Sequence, residues 1–444
     1  MVDSLRRTLL PIALIASAGL ALACHRTPSG GEHPDGGQAG GGGGDQAADG
    51  GEGRFCRRAW SKSAAIPEGP IVSKDSGAAW TGDRLLVWDS SREHAASYDP
   101  GTRRWTSFED RFPGKRVRAA AGGQLLVVIE GQYPAPLSGL LVDARSGETR
   151  PFAAPRKVLL EPMRFGEALL FSGDSWAPSQ SEDLLRFEPA TDRWTEIEGP
   201  LPQARIQPTV VIGERLLLRW GGQDRQDQQI QLVDGSVIDV QTMRRRLLPQ
   251  ESGLGSRRYP MGSAHGTRVA LWGGSGDQGQ LRDGAIYELE SDRWQPIPAL
   301  PEDLASGDDW RGVVLGETHM LVWDLQRRIA SYELASGRWS LTVLPESAWT
   351  HLPGLIRDES GRAIFIGDER YGLFDPVRGW CDRALPREAV GRFSLFRAWT
   401  GEGLLLWGGI TNGRSGGCEN HTGPQGCDPW MEHNAHGDGW LLER

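Results

Sequence analysis

Short apolar runs recur along this chain, each of four to six residues with β-branched or aromatic members, and each followed by a polar stretch. They are LLVWD ending at Asp89, LLVVIEG at Gly131, ALLFSGD at Asp174, LLLRWGG at Gly222, VALWGG at Gly274, MLVWD at Asp324, AIFIGD at Asp368 and LLLWGG at Gly409. Their ends lie 41 to 52 residues apart. A run of this length is too short for a helix. Its near-continuous apolarity predicts a strand covered on both faces.

A second strand follows the polar stretch in most copies: AASYDP from Ala95, LLRFEP from Leu184, AIYELE from Ala285, ASYELA from Ala330 and YGLFDP from Tyr371. Turn-forming Gly, Asp and Ser residues come next. An aromatic then opens a further strand, as Trp105, Trp194, Trp294, Trp339 and Trp380. Two copies depart from this, with Arg150-Pro151-Phe152 and Arg246-Leu247-Leu248 in its place. A shorter strand precedes each apolar run, such as GAAWT at Gly77 or TVVIG at Thr209. Four strands per period of roughly 45 residues make one blade of a β-propeller.

The double glycine after the buried strand and the spaced aromatics resemble the kelch repeat. The clearest copy has Gly273, Gly274, Tyr287 and Trp294, and the pair recurs as Gly221-Gly222 and Gly408-Gly409. The resemblance covers roughly residues 55–444 and implies an all-β, kelch-like β-propeller. Eight copies predict eight blades, with seven if the weak second copy is not a true blade. Propellers host many functions, so the resemblance carries no activity by itself.

The two ends bear on closure. The chain finishes with Gly439-Trp440-Leu441-Leu442-Glu443-Arg444, which matches the third strand of a copy, and then stops. The missing fourth strand has its counterpart at the other end, in Arg54-Phe55-Cys56-Arg57-Arg58-Ala59. An N-terminal strand is therefore expected to complete the last blade and close the ring.

Residues 1–23 read as a signal peptide, with Arg6 and Arg7 before an apolar stretch too short to span a membrane. The segment ends Leu20-Ala21-Leu22-Ala23-Cys24, which resembles a bacterial lipoprotein signal with Cys24 as the acylated residue. Ala21-x-Ala23 equally fits ordinary signal peptidase, which would release a soluble secreted protein. Residues 24–53 are mostly Gly, Asp, Ala and Gln, a flexible tether with no apolar pattern. Residues 54–444 form the single propeller domain. His25 rather than Asp follows the cysteine. By resemblance to Gram-negative sorting, this implies an outer-membrane anchor on a periplasmic or surface-exposed protein, touching the membrane through its lipid alone.

Four further cysteines suit an exported chain and allow three pairings. Cys418 and Cys427 share one glycine-rich loop and are the favoured pair, which leaves Cys56 with Cys381; free buried thiols are the alternative for those two. The net charge of -9 and the lack of a basic run argue against nucleic acid.

Candidate chemistry concentrates in the insert Ile410–His436. It holds His421, His433 and His436, two cysteines, Trp430 and several carboxylates. Imidazoles and carboxylates suit zinc or copper, but histidines three apart in a loop are a weak signal. A polar loop stapled by its cysteines is the favoured reading, so no metal and no cofactor are expected. Gly274-x-Gly276-x-x-Gly279 fits a dinucleotide fingerprint, but a strand follows where a helix is needed. Trp176, Trp310 and Trp430 are expected in exposed loops, where flat rings stack on sugars or peptides. The reading is a non-enzymatic binding module for an unidentified protein or glycan at the cell envelope. A carbohydrate-processing enzyme resembling the kelch propellers that act on sialic acid, by epimerase or mutarotase chemistry, is the alternative.

Overall fold

The computed structural model describes residues 60–443 apart from short connecting stretches, the longest being 64–75, 173–183 and 416–430. The fold is an all-β propeller, and the described residues contain no helix. Seven four-stranded antiparallel blades follow one another along the chain, each an up-and-down meander. Their first strands are Ser76–Trp80, Arg116–Ala121, Met163–Phe165, Thr209–Ile212, Met261–His265, Trp310–Leu315 and Leu355–Arg357.

A further sheet draws on both ends of the chain. Its strands run in the order Trp60–Lys62, Gly439–Glu443, Gly403–Ser415, Phe393–Trp399, and Met431–Ala435 pairs with the far end of Gly403–Ser415. Trp60 lies opposite Leu442 and Lys62 opposite Trp440. The described N-terminal strand is thus Trp60–Lys62, just beyond the segment 54–59 that the sequence pattern singles out; that segment lies outside the described residues. The insert carries strands at both of its ends: Ile410 pairs with Ala435 and Asn412 with His433.

The strongest apolar runs form the second strand of each blade, and burial explains their pattern. Leu216, Leu217 and Leu218 have no exposure, nor do Ala363 through Ile366. Such a strand sits between its own sheet neighbours and two adjacent blades, so both of its faces are dry. Each fully buried Leu or Ile contributes about 1.5–3 kcal/mol.

The cores lie between blades and not within them. Leu218 and Val237 of the fourth blade pack with Leu271 and Tyr287 of the fifth. Ala270 and Ile286 pack with Val322 and Tyr332 of the sixth. The sheet built from both termini lies between the seventh and first blades. Its Leu404, Leu406 and Trp440 pack on Ile364 and Leu373, while Leu405 and Trp407 pack on Leu85 and Tyr98.

Aromatic pairs fasten these interfaces. Tyr98–Trp105, Tyr287–Trp294 and Tyr332–Trp339 are cross-strand neighbours with ring centroids 5.0, 5.2 and 5.1 Å apart. Trp294 Nε1 donates to the Pro249 carbonyl at 3.2 Å and Trp339 Nε1 to the Pro298 carbonyl at 3.1 Å, so each tryptophan also ties back to the preceding blade. In the fourth blade Arg245, 3% exposed and opposite Ile238, occupies the tryptophan position. The ladder thereby corrects the expectation that Arg246 opens this stretch. In the second blade Phe152 fills the interface and meets Trp194 of the third at 5.6 Å.

Candidate functional site: the braced long-loop face

The meander order puts every loop between second and third strands on one face, with the connections from one blade to the next. The opposite face carries only the tight turns. Two long loops, 223–234 and 275–283, belong to adjacent blades, and a further one is the insert that begins on Gly403–Ser415.

These three loops follow the double glycines, and at 223–234 and 275–283 the local geometry explains why. Gly221 and Gly222 have φ of 67° and 87°, and Gly273 and Gly274 have 70° and 89°. Two successive left-handed residues turn the chain sharply out of the buried strand, a conformation that side chains with a Cβ resist. At Gly274 a Cβ would also lie 2.7 Å from the Arg258 carbonyl oxygen. The amide of each first glycine donates to the residue that closes the loop, Gly221 N to Asp234 O and Gly273 N to Asp283 O, both at 2.9 Å. The second glycines accept from Leu232 N and Leu281 N.

A buried arginine braces each of these loop bases. Arg257 donates through Nη1 to the carbonyls of Gly273 at 3.1 Å and Asp283 at 3.2 Å, and through Nη2 to the Asp283 carboxylate at 3.1 Å. Arg205 repeats the set on Gly221, Asp234 and the Asp234 carboxylate, at 2.9, 2.9 and 3.0 Å. Arg392 donates to the Gly408 carbonyl at 3.0 Å and lies 4.6 Å from the Trp440 ring centroid. Each arginine comes from the connection preceding its blade. The brace therefore joins a blade-to-blade connection to both ends of a long loop. The same connections pair with the loops through their backbones, Arg205 with Asp224 and Arg258 with Ser275.

In the sixth blade an Asp stands in place of the glycines, and the loop is short. Asp324 is fully buried; its Oδ1 accepts from Gln326 N at 2.8 Å and Arg328 N at 2.9 Å, while Oδ2 pairs with the Arg328 guanidinium. This closes a turn of only Leu325–Arg327. The Gly-Gly blades thus carry long loops and the Trp-Asp blade a tight one.

Exposed apolar side chains favour the same face. Ile230, Val233, Leu247 and Tyr259 are 50%, 43%, 46% and 70% exposed, and all belong to the long-loop side of the fourth blade and its connection to the fifth. Among the described residues only Ile212 and Val377 of the exposed large apolar set fall at the turn end. Tyr259 holds a left-handed φ of 52°, a conformation that costs a non-glycine residue and is sustained by its surroundings.

Perturbed titration marks the blade interfaces instead. Burial pushes the Tyr287 phenol well up, reinforced by its hydrogen bond to Asp292 Oδ1 at 2.5 Å. Burial also raises Tyr98 and Tyr332. At Asp99, burial pushes the carboxyl up, but amide donation from Thr102 and Gly101 and the nearby Arg84 outweigh it and hold it low. These groups belong to packing and turns.

The individual sequence candidates fare differently. Trp310 is corrected: it lies on an innermost strand, 5% exposed, edge-on to Trp272 at 5.8 Å and covered by Arg328 at 5.5 Å. Its bulk fills the gap between the fifth and sixth blades, so it is no loop aromatic. The dinucleotide-like glycines are a small hairpin, with Ser275–Gly276 pairing Gly279–Gln280. His433 is placed by its backbone on Met431–Ala435. Trp176, Trp430, His421, His436, Cys24, Cys56, Cys418 and Cys427 lie outside the described residues. Cys381 is disulfide-bonded. No group of three or more metal-ligating side chains occurs among the described residues.

Sequence reasoning passed over the arginine brace, although a signal was present. Arg205–Gly221, Arg257–Gly273 and Arg392–Gly408 are each 16 residues apart. No family model matches this sequence, and no curated protein matches it.

Proposed function

We propose that this chain is a kelch-type propeller of eight blades, tethered to the envelope through Cys24, that binds a protein or glycan on its long-loop face without catalysing a reaction. The observation that carries the binding reading is the brace: a buried arginine under each double-glycine loop, with exposed apolar side chains gathered on the same side. Binding loops on a fixed base lose less freedom on complex formation than free ones. In this reading the sheet built from both termini is the eighth blade. Cys56, four residues before Trp60, is the partner of Cys381, because Trp60 and Cys381 pack on one cluster.

The test is a glycan array and an envelope-extract pull-down with the purified chain, each run with and without chelator. Tyr259→Ala and Ile230→Ser should lower the captured signal at least about tenfold if they anchor the contact. Capture that is indifferent to both substitutions, or turnover of a captured sugar, would sink the reading. Loss of binding to chelator would instead bring back a metal at the histidines of the insert.

A further inference from the structure

Among the described residues six non-glycine residues stand on a left-handed backbone: Arg103, Asp192, Met243, Tyr259, Asp292 and Arg327. Five of them close a hairpin turn immediately before a strand. Arg103, Asp192, Met243 and Asp292 precede fourth strands, and Arg327 precedes Arg328–Glu333. Gly337 fills the corresponding turn position ahead of Arg338–Val343. Tyr259 closes no such turn. It lies in the connection from the fourth blade to the fifth, two residues before the innermost strand Met261–His265 and at its long-loop end. Its side chain is 70% exposed.

The residues on either side fix this conformation. Arg258 N donates to the Ser275 carbonyl and Ser275 N to the Arg258 carbonyl, both at 2.8 Å. Pro260 is buried, and Thr209 Oγ1 of the fourth blade donates to its carbonyl at 3.3 Å. Gly274 runs alongside, where a Cβ would lie 2.7 Å from the Arg258 carbonyl oxygen and 3.0 Å from Pro260 N. A residue before proline is kept out of the right-handed helical region. The surrounding bonds hold Tyr259 in the left-handed one, at φ 52°. Strain of this kind persists only where the surroundings over-determine it, and it gathers at ligand sites. Glycine would adopt the same φ without steric cost. The ring is carried there although its burial offsets little of that cost.

We propose that Tyr259 is the principal anchor for a protein partner that brings an apolar segment to the long-loop face. This rests on the binding reading above, and names its partner class and its central residue. Tyrosine offers a wide, rigid contact area for two torsions, and interface energy concentrates on a few such residues. A backbone that is already locked has less freedom to lose on binding. The other exposed apolar side chains on this side of the fourth blade, Ile230, Val233 and Leu247, are aliphatic. Aliphatic groups pack against apolar protein side chains at the centre of an interface. Sugars stack on flat rings, and of these four side chains only Tyr259 has one.

Two measurements on the full chain test it. The first is thermal melting of Tyr259→Gly and Tyr259→Ala. The glycine variant, relieved of strain, should melt about 1–3 °C above the alanine variant and not below the wild type. A glycine variant that melts well below the wild type would show that the ring is a packing element, and would overturn the proposal. The second is selection of a phage-displayed random-peptide library on the wild-type chain. The enriched peptides should carry apolar residues and bind Tyr259→Gly at least about tenfold more weakly. Tyr259→Phe, which keeps the ring, should stay within about threefold. Val377→Ser, an exposed change at the turn end, should stay within about twofold. No enrichment, or peptides indifferent to Tyr259→Gly, would overturn the proposal. Peptides lost with Ile230→Ser but kept with Tyr259→Gly would overturn it alone, whereas indifference to both would also remove the long-loop reading. A glycan held through Tyr259 with no peptide enriched would overturn the protein partner and assign the ring to a sugar.

Discussion

Arg257 and Gly273 are joined by a hydrogen bond from the guanidinium to a main-chain carbonyl at 3.1 Å, although they belong to different segments of the face. Arg257 sits in a connection between blades, and Gly273 ends a buried strand. The bond recurs in the fourth blade and in the sheet built from both termini at the same 16-residue separation. It solves a problem that the double glycine creates. Gly273, the first of two left-handed residues after the strand Arg268–Trp272, sets its carbonyl beside the buried Arg257 guanidinium, where a missing donor is costly. The arginine supplies that donor and extends its remaining N–H groups to the far end of the loop.

Removing the brace should be expensive. Arg257→Met removes the guanidinium donor from the Gly273 and Gly255 carbonyls and from the Asp283 carboxylate, while the Asp283 carbonyl keeps Gly273 N. Asp283 is 37% exposed and can recover part of its loss from water, so the expected cost is about 2–4 kcal/mol. Urea denaturation measures it. Hydrogen exchange should show the loop 275–283 losing protection before the rest of the fifth blade. A loop that exchanges as in the wild type would show that the glycines alone hold it.

Gly274→Ala should cost roughly 2 kcal/mol or more, through its positive φ and the close approach to the Arg258 carbonyl. Gly253→Ala shares a positive φ of 69° but has open space around it. It should cost about 1–2 kcal/mol, from backbone strain alone. The difference between the two melting curves isolates the steric part.

Deleting 439–444 removes the strand that pairs with both Trp60–Lys62 and Gly403–Ser415. It uncovers Leu404 and Leu406 on one side and Leu405 on the other. The melting temperature should fall by at least ~10 °C, since several buried side chains worth about 1.5–3 kcal/mol each lose cover. An unchanged melting curve would refute closure by the two chain ends.

Non-reducing peptide mapping should recover a Cys56–Cys381 peptide. Reduction, or Cys381→Ser, should lower stability by about 2–4 kcal/mol, because the bond closes a very long loop of chain. Recovery of Cys381 joined to Cys418 or Cys427 would reject the proposed pairing.

Alkaline stability should depend on Tyr287. Its folded pKa lies above the value of the unfolded chain, so its contribution is complete below about pH 10. The contribution is lost as the pH rises beyond that, because the unfolded chain gives up the proton first. Tyr287→Phe should flatten the fall of stability between pH 10 and about 11.5. Tyr98 and Tyr332, also raised by burial, leave part of the slope in place. A slope identical to the wild type would mean that the phenol is not buried in this way.

Much of the architecture was legible in the residues themselves. Continuous apolar runs such as Leu216–Trp220 can only be strands covered on both faces, and Gly273-Gly274 can only be a sharp turn, because these are consequences of local chemistry. The recurring tryptophans likewise marked the fourth strands. What the sequence could not decide was which distant residues meet. Trp310 looks like a loop aromatic beside Asp308 and Asp309, and only packing against Trp272 and Arg328 makes it core. Arg257 looks like one surface arginine among many until the ring brings it under Gly273. The bulges at Arg118 and Arg311 exist only as a mismatch between two paired strands. Hydrophobic period and turn chemistry are local properties of the chain, whereas braces, bulges and a common axis are relations between residues far apart in it.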